Sequence, residues 1–371
     1  MPDSPWLRRS APVVLGSWVG ARVLVALGLW VAHALSGQVH LPLGRVHLDQ
    51  GLVTWDGDAY RAIAEHGYGR VAPDLVRFFP LYPEAGRFLG PVFGGRVDIA
   101  LVVLANACAL GAMFALWRLV TRLGHNEAVA DRAVVALALF PAAASLVYAY
   151  AEGPFLLCLF LAALALQRRR PLAAIVPLLA LGLLRPTGVL VCLPVVVLAW
   201  QDLRTSFARV RALAWAVASV APLLGMAAYL WWLQATDGRG SAPLDEQRAF
   251  RNGFREPVTR LLRAVWDVAR LHFRDGYNLA FAIVLIVALV VAIRRRLPLA
   301  WTAYLGLGLL VALSANNIDS IGRYGLLLAP ALPLAVAVAT TRRWTFVAVA
   351  AASGIGLVWF TAVTALGLVV P

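Results

Sequence analysis

Residues 11–35 read APVVLGSWVGARVLVALGLWVAHAL, and this run decides the fold class. A helix needs roughly 20 apolar residues to cross about 30 Å of hydrocarbon, and the run exceeds that. Arg8 and Arg9 precede it, as they would a secretory signal. It is too long for a signal-peptide core and has no clear cleavage site, so it reads as a retained span. Apolar runs recur to the end of the chain, at 98–120, 131–149, 153–167, 171–184, 187–200, 212–233, 279–293, 297–314, 323–340 and 345–367, eleven with the first. The 371 residues are 61% hydrophobic and 14% charged, whereas about a quarter of a soluble domain is charged. The expectation is an all-α polytopic membrane protein with about eleven transmembrane helices, a single domain over 1–371. No soluble stretch is long enough for a separate catalytic domain.

The net charge is +14, and its cationic side chains are all arginine. The arginines sit in short clusters between apolar runs, which marks topology and lipid headgroup contact rather than nucleic-acid binding. With the N-terminus inside, Arg118, Arg122 and Arg132, then Arg168 to Arg170, Arg204, Arg209 and Arg211, Arg294 to Arg296, and Arg342 and Arg343 all fall inside. That parity requires 171–200 to turn back on itself, as two short spans or a re-entrant pair interrupted by Pro177, Pro186 and Pro194. Two long loops, 36–97 and 234–278, then lie outside with many arginines, a tension that long loops tolerate.

The same topology gathers the unusual polar segments on the outer face: TWDGDAYRAIAEHGYG at 54–69, RFFPLYP at 77–83, YAEG at 150–153, RPTG at 185–188 and NNIDSIGRY at 316–324. The outer loops also read as interfacial amphipathic helices. In 58–66, Tyr60, Ile63 and Ala64 share one face, Arg61 and Glu65 form an i,i+4 pair on the other, and Gly67 stops the helix. In 257–272, Leu261, Leu262, Val265, Val268, Ala269 and His272 make one side, and Arg260, Arg263, Asp267 and Arg270 the other. Cys108, Cys158 and Cys192 lie in apolar runs and read as buried free thiols.

Asp56 is the candidate general base, since a carboxylate in a partly desolvated outer cavity can take a proton from an attacking hydroxyl. Asp58 is a candidate substrate-binding residue that orients sugar hydroxyls or braces the site, and it serves equally as a helix N-cap. The DGD at 56–58 also leaves room for a divalent cation, magnesium or manganese, on Asp56 and Asp58. Arg185 and Arg323 are candidate phosphate ligands because a guanidinium offers a fixed fork of donors. The rival reading is an arginine snorkelling from a span end. Arg77, His66 and Arg61 are weaker candidates for substrate contact. Glu152 either pairs with an outer arginine or holds sugar hydroxyls. Tyr82 and Tyr324 complete the candidate substrate-binding set.

WDGDAYRAIAEHGYG followed by RFFPLYP resembles the first outer loop of the PIG-V family, the mannosyltransferases that add the second mannose of glycosylphosphatidylinositol, within the GT-C superfamily. Trp55, Asp56, Tyr60, Ile63, Ala64, Gly67, Tyr68, Phe78, Phe79, Pro80 and Pro83 carry the resemblance. YAEGPFLL keeps the Glu152 of that family's next motif and lacks its serines; RPTG keeps Arg185 and Gly188; RY at 323–324 fits a late outer motif. The all-arginine composition fits a bacterial, actinobacterial homologue.

The resemblance implies a GT-C fold in the cytoplasmic (inner) membrane with an extracytoplasmic active site. It further implies a polyprenyl-phosphate sugar donor, typically mannose, and Asp56 as the catalytic acid–base position. The expected chemistry is inverting transfer to a glycan, glycolipid or protein acceptor, with the leaving phosphate on Arg185 or Arg323 and membrane lipids as the other partners. Two rivals are a transporter or flippase of lipid-linked sugars and a non-catalytic membrane subunit. A transporter places polar residues at the bilayer midplane and on both faces, which favours the enzyme here.

Overall fold

The computed structural model describes residues 5–40, 44–205, 208–270 and 273–371. His272, expected on the second amphipathic helix, lies outside the described residues. The protein is an all-α polytopic membrane protein; among the described residues extended pairing is limited to one isolated bridge, Phe254 to Ala315.

The apolar runs do not make eleven full spans. Among the described residues six helices are long and apolar enough to cross a membrane: Pro5–Leu35, Val97–Arg122, Pro186–Leu203, Arg209–Asp237, Gly276–Arg294 and Arg343–Ala365. Ile321–Leu327 and Ala331–Ala339 add a seventh if counted together, but they are bent by 87°. Glu152–Gln167, Pro171–Leu184 and Leu299–Leu313 are shorter apolar helices. The run at 131–149 divides because helix Glu127–Ala138 ends ahead of Pro141, which has no N–H to continue the ladder. A 3-10 turn and a short irregular stretch follow, and they deliver Tyr148, Tyr150 and Glu152 to one end of the bundle.

Helix Pro171–Leu184 packs closely along Arg209–Asp237. Gly182 permits this: a Cβ there would stand 2.0 Å from the Pro222 carbonyl oxygen, the small-residue contact expected where two backbones meet in a membrane. Pro5–Leu35 packs on Arg343–Ala365, and Val97–Arg122 on Glu152–Gln167. Arg22, midway along the first helix, is tied down by Asn106 Oδ1 at 2.9 Å and the Leu146 carbonyl at 3.0 Å, and it stacks on Trp18. A half-buried cation so fully hydrogen-bonded is a structural tie.

The arginine clusters meet at one end. Arg9 pairs with Glu127 at 2.7 Å, Arg118 lies over Trp6 in the field of Arg122 and Arg168, and Arg132 lies over Phe346. Arg169 and Arg211 both bind Asp202, whose second oxygen accepts from Trp215 at 2.8 Å. Arg169 and Asp202 therefore share an end, and the segment between them runs out and back. Its first limb, Pro171–Leu184, has 14 residues and spans only about 21 Å at 1.5 Å per residue. The chain turns at Arg185, at the opposite end.

The two long loops lie at that opposite end and touch. The first contains helices Val46–Asp49, Asp56–His66 and Leu81–Leu89; the second contains Ala242–Phe250 and Pro257–Ala269. Tyr229 donates to the Val76 carbonyl at 2.8 Å, and Ala242–Phe250 packs on the 3-10 turn Pro73–Arg77. On Pro257–Ala269, Glu256 caps the start by accepting from the N–H groups of Val258 and Thr259. Val258, Leu262, Val265 and Trp266 are exposed there, while Arg260 and Ala264 are buried. The helix thus turns its apolar stripe outward, the disposition of an interfacial helix.

Candidate active site

Asp56 opens helix Asp56–His66, where the helix dipole favours a carboxylate. The turn before it is unusual. The N–H of Gly57 donates to the Thr54 carbonyl at 3.1 Å, and Trp55 sits at φ 55°, ψ −121°. That is the first central position of a type II′ turn, where glycine is the usual occupant. Holding a tryptophan there costs about 1–3 kcal/mol, and its side-chain contacts offset this. The indole stacks on His47 with ring centroids 3.8 Å apart, and its N–H donates to the Thr364 carbonyl at 3.0 Å. His47 in turn hydrogen-bonds Thr54 at 3.1 Å. Burial pushes the His47 imidazole below its ordinary range, against smaller opposing effects of Asp58 and Gln50.

Asp56 accepts from Arg323 at 2.6 Å. Arg323 rides on Ile321–Leu327, and its Nε lies 3.3 Å from Glu152 Oε1, a charge contact without hydrogen-bond alignment. Arg185 binds the same Glu152 oxygen. Glu152 is fully buried, and both arginines are nearly so. Four charges therefore form one chain, Asp56–Arg323–Glu152–Arg185, drawn from four separate parts of the sequence. Gly188 makes the last placement feasible: a Cβ would stand 2.1 Å from the Leu181 carbonyl oxygen, so only glycine lets the turn after Arg185 fold back onto its helix.

This chain borders a polar cavity of about 50 Å³. Asp56, Arg77, Arg185, Arg323, Tyr324 and Phe250 face it, with Tyr60 at its base. Burial pushes the Tyr60 phenol well above its ordinary range, so it stays protonated. A second, larger cavity of about 260 Å³ adjoins it. Pro186, Thr187, Gln247 and Tyr324 line both. The second cavity is otherwise mostly apolar, lined by residues such as Leu190, Val311 and Leu327.

The remaining sequence candidates stand elsewhere. Asp58 pairs with Arg61 on the half-exposed side of the helix, in place of the expected Arg61–Glu65 pair. His66 is exposed beside Glu65 at 3.8 Å. Neither Asp58, Arg61 nor His66 lines the polar cavity. Tyr82 is buried, donates to the Leu101 carbonyl at 2.8 Å and packs edge-on against Tyr60, so it belongs to the core. Glu152 lies behind the cavity wall. A divalent cation on Asp56 and Asp58 does not fit: positions i and i+2 of a helix point apart, and each carboxylate is engaged by a different arginine. Among the described residues no three His, Cys, Asp or Glu side chains gather as metal ligands. Cys108, Cys158 and Cys192 are free thiols.

Sequence reasoning missed Gln247, Phe250 and Arg251, which reach the cavities from Ala242–Phe250 and the turn after it. They carry no motif; the only local signal is an aromatic next to an arginine.

The chain matches no protein-family model and no curated protein. Among solved structures it is similar to the crystal structure of the Archaeoglobus fulgidus oligosaccharyltransferase tethered by a disulfide bond to an acceptor peptide containing the NVT sequon. The TM-score is 0.49 at 12% identity, over 99% of this chain and 56% of that one. This chain thus spans little more than half the length of that protein.

Proposed function

We propose that this protein is an inverting GT-C glycosyltransferase that moves mannose, or a related sugar, from a polyprenyl-phosphate donor to a glycan, glycolipid or protein acceptor. One observation carries the reading: a cavity with a carboxylate among arginines shares lining residues with an apolar cavity beside it. A charged head joined to an isoprenoid tail has that shape and polarity.

In the proposed step, the acceptor hydroxyl gives its proton to Asp56, and its oxygen forms the new bond to the anomeric carbon. The bond from that carbon to the phosphate oxygen breaks with its electron pair, releasing polyprenyl phosphate. Cationic side chains around the cavity stabilise the departing charge, the kind of fixed electrostatic complementarity that dominates such reactions. Arg323 holds the Asp56 carboxylate, and Glu152 holds Arg323 and Arg185 in turn. The arginine clusters at the far end support an orientation with that end in the cytoplasm and the site outside a bacterial inner membrane. The PIG-V resemblance of the Asp56 loop supports mannose as the donor sugar.

The test is transfer of radiolabelled mannose from polyprenyl phosphate mannose by the purified protein. Wild type is expected to transfer it and Asp56→Asn to lose transfer while remaining folded. Full activity in that variant removes Asp56 as the base, and translocation without transfer by wild type replaces the enzyme with a transporter.

A further inference from the structure

Charge balance separates the arginines of the site into two kinds. Arg185 and Arg323 share Glu152, and Arg323 also binds Asp56. Two guanidinium groups thus face two carboxylates, and the chain is neutral. Arg77 and Arg251 have no carboxylate within ion-pair distance among the described residues. Arg77 stacks over Phe250 at 4.4 Å and Phe78 at 5.0 Å, and its Nε is shut off from solvent without a hydrogen-bond partner. Arg251 lies over Tyr324 at 4.3 Å and Phe250 at 5.9 Å. Its Nη1 donates to the carbonyls of Asn317 at 3.1 Å and Asp319 at 3.3 Å, which fixes its direction and leaves its charge uncompensated. Arg77 borders the polar cavity and Arg251 the apolar one, with the Phe250 ring in contact with both.

Resting on the function proposed above, we infer that the donor's phosphate binds between Arg77 and Arg251, at the junction of the two cavities, and that Arg185 and Arg323 position the catalytic carboxylate instead. The sugar then points along the polar cavity toward Asp56, and the first isoprene units enter the apolar cavity past Tyr324. The donor phosphodiester carries one negative charge and the leaving monoester approaches two near neutral pH. Two guanidiniums without carboxylate partners therefore match the leaving group better than the donor, which is the differential binding that raises a rate. Arg251 thereby acquires a role that its position in a motif-free loop conceals.

The experiment measures binding of farnesyl phosphate to the full-length protein in lipid nanodiscs, with farnesol and inorganic phosphate as parallel probes. Wild type is expected to bind farnesyl phosphate at least tenfold more tightly than either probe. Arg77→Gln and Arg251→Gln are each expected to weaken it at least tenfold, and Asp56→Asn to bind it as tightly as wild type or more so. Where a Gln variant fails to fold, Arg77→Lys and Arg251→Lys carry the test: a point charge cannot replace the planar fork, so affinity falls several-fold. Unchanged affinity in folded Arg77 and Arg251 variants overturns the inference and leaves the transferase reading standing. A wild type that binds farnesol, or inorganic phosphate, as well as farnesyl phosphate overturns both.

Discussion

Asp202 and Glu152 are both buried carboxylates held by two arginines, and they lie at opposite ends of the same bundle. Asp202 uses both oxygens, on Arg169, Arg211 and the Trp215 N–H. Its arginines are 54% and 29% exposed, so solvent already shares their charge. Glu152 uses one oxygen for two arginines that are 9% and 8% exposed, and its other oxygen has no hydrogen-bond partner. The first arrangement closes a loop and is complete. The second borders a cavity and passes charge on to Asp56. The same pairing of one carboxylate with two arginines therefore makes a fastening at one end and a site at the other, and what differs is access, not charge.

The largest expected effect that separates the two ends is on activity. Asp56→Asn is expected to lower mannose transfer by about 10²–10⁴-fold, the usual contribution of a general base, while Asp202→Asn stays within a few-fold per folded molecule. A transfer assay normalised to folded protein checks this, and equal losses would erase the distinction.

Stability should separate the ends next. Glu152→Ala strands the buried Arg185 guanidinium and leaves Arg323 to Asp56 alone, and it is expected to cost about 3–5 kcal/mol. Asp202→Ala should cost clearly less, because exposed arginines regain water. Thermal denaturation in one detergent compares them; a larger loss at Asp202 breaks the comparison.

Gly188→Ala sharpens it further. The added methyl must displace the Leu181 carbonyl and with it the Arg185 turn, at a cost of about 1–3 kcal/mol. Transfer should fall with stability, whereas a matching glycine change at an open position such as Gly20 should leave both unaltered.

The smallest effect is the share of a pH slope that His47 contributes at the site end. Burial depresses the His47 imidazole relative to its unfolded value of 6.5, so below that pH the unfolded chain binds the proton more readily. Stability from neutral His47 is complete above about pH 6.5 and declines as pH falls toward the folded value. Melting temperatures between pH 7.5 and 5 should show this decline in wild type and a shallower one in His47→Asn.

Much of this was legible in the sequence, and the failures have physical causes. Length and hydropathy located the helices, but they cannot see that Pro141 divides one run or that Ile321–Leu327 meets Ala331–Ala339 at 87°. Asp56, Glu152, Arg185 and Arg323 each stood out because charged groups near apolar runs are expensive; Arg77 was a weaker phosphate candidate, and Tyr324 came with the RY motif. Which of them pair was not readable, since Asp56 and Arg323 are 267 positions apart. Asp58, Arg61 and His66 were drawn in by proximity along the chain. Their helix periodicity points them away from Tyr60, Ile63 and Ala64, the buried face, so that separation was available from the pattern. Arg251 and Phe250 had no signal beyond their types; only the meeting of the two long loops gives them a place.

The stack of Trp55 on His47, with the indole N–H on the Thr364 carbonyl and Gly367 against the imidazole, has a reach beyond its own turn. The aim of a residue near the start of the chain is anchored by its last dozen. Deleting residues 361–371, or fusing a rigid tag there, should therefore slow the chemistry without removing any group that touches substrate. A segment 309 positions away along the chain would behave as a gunsight.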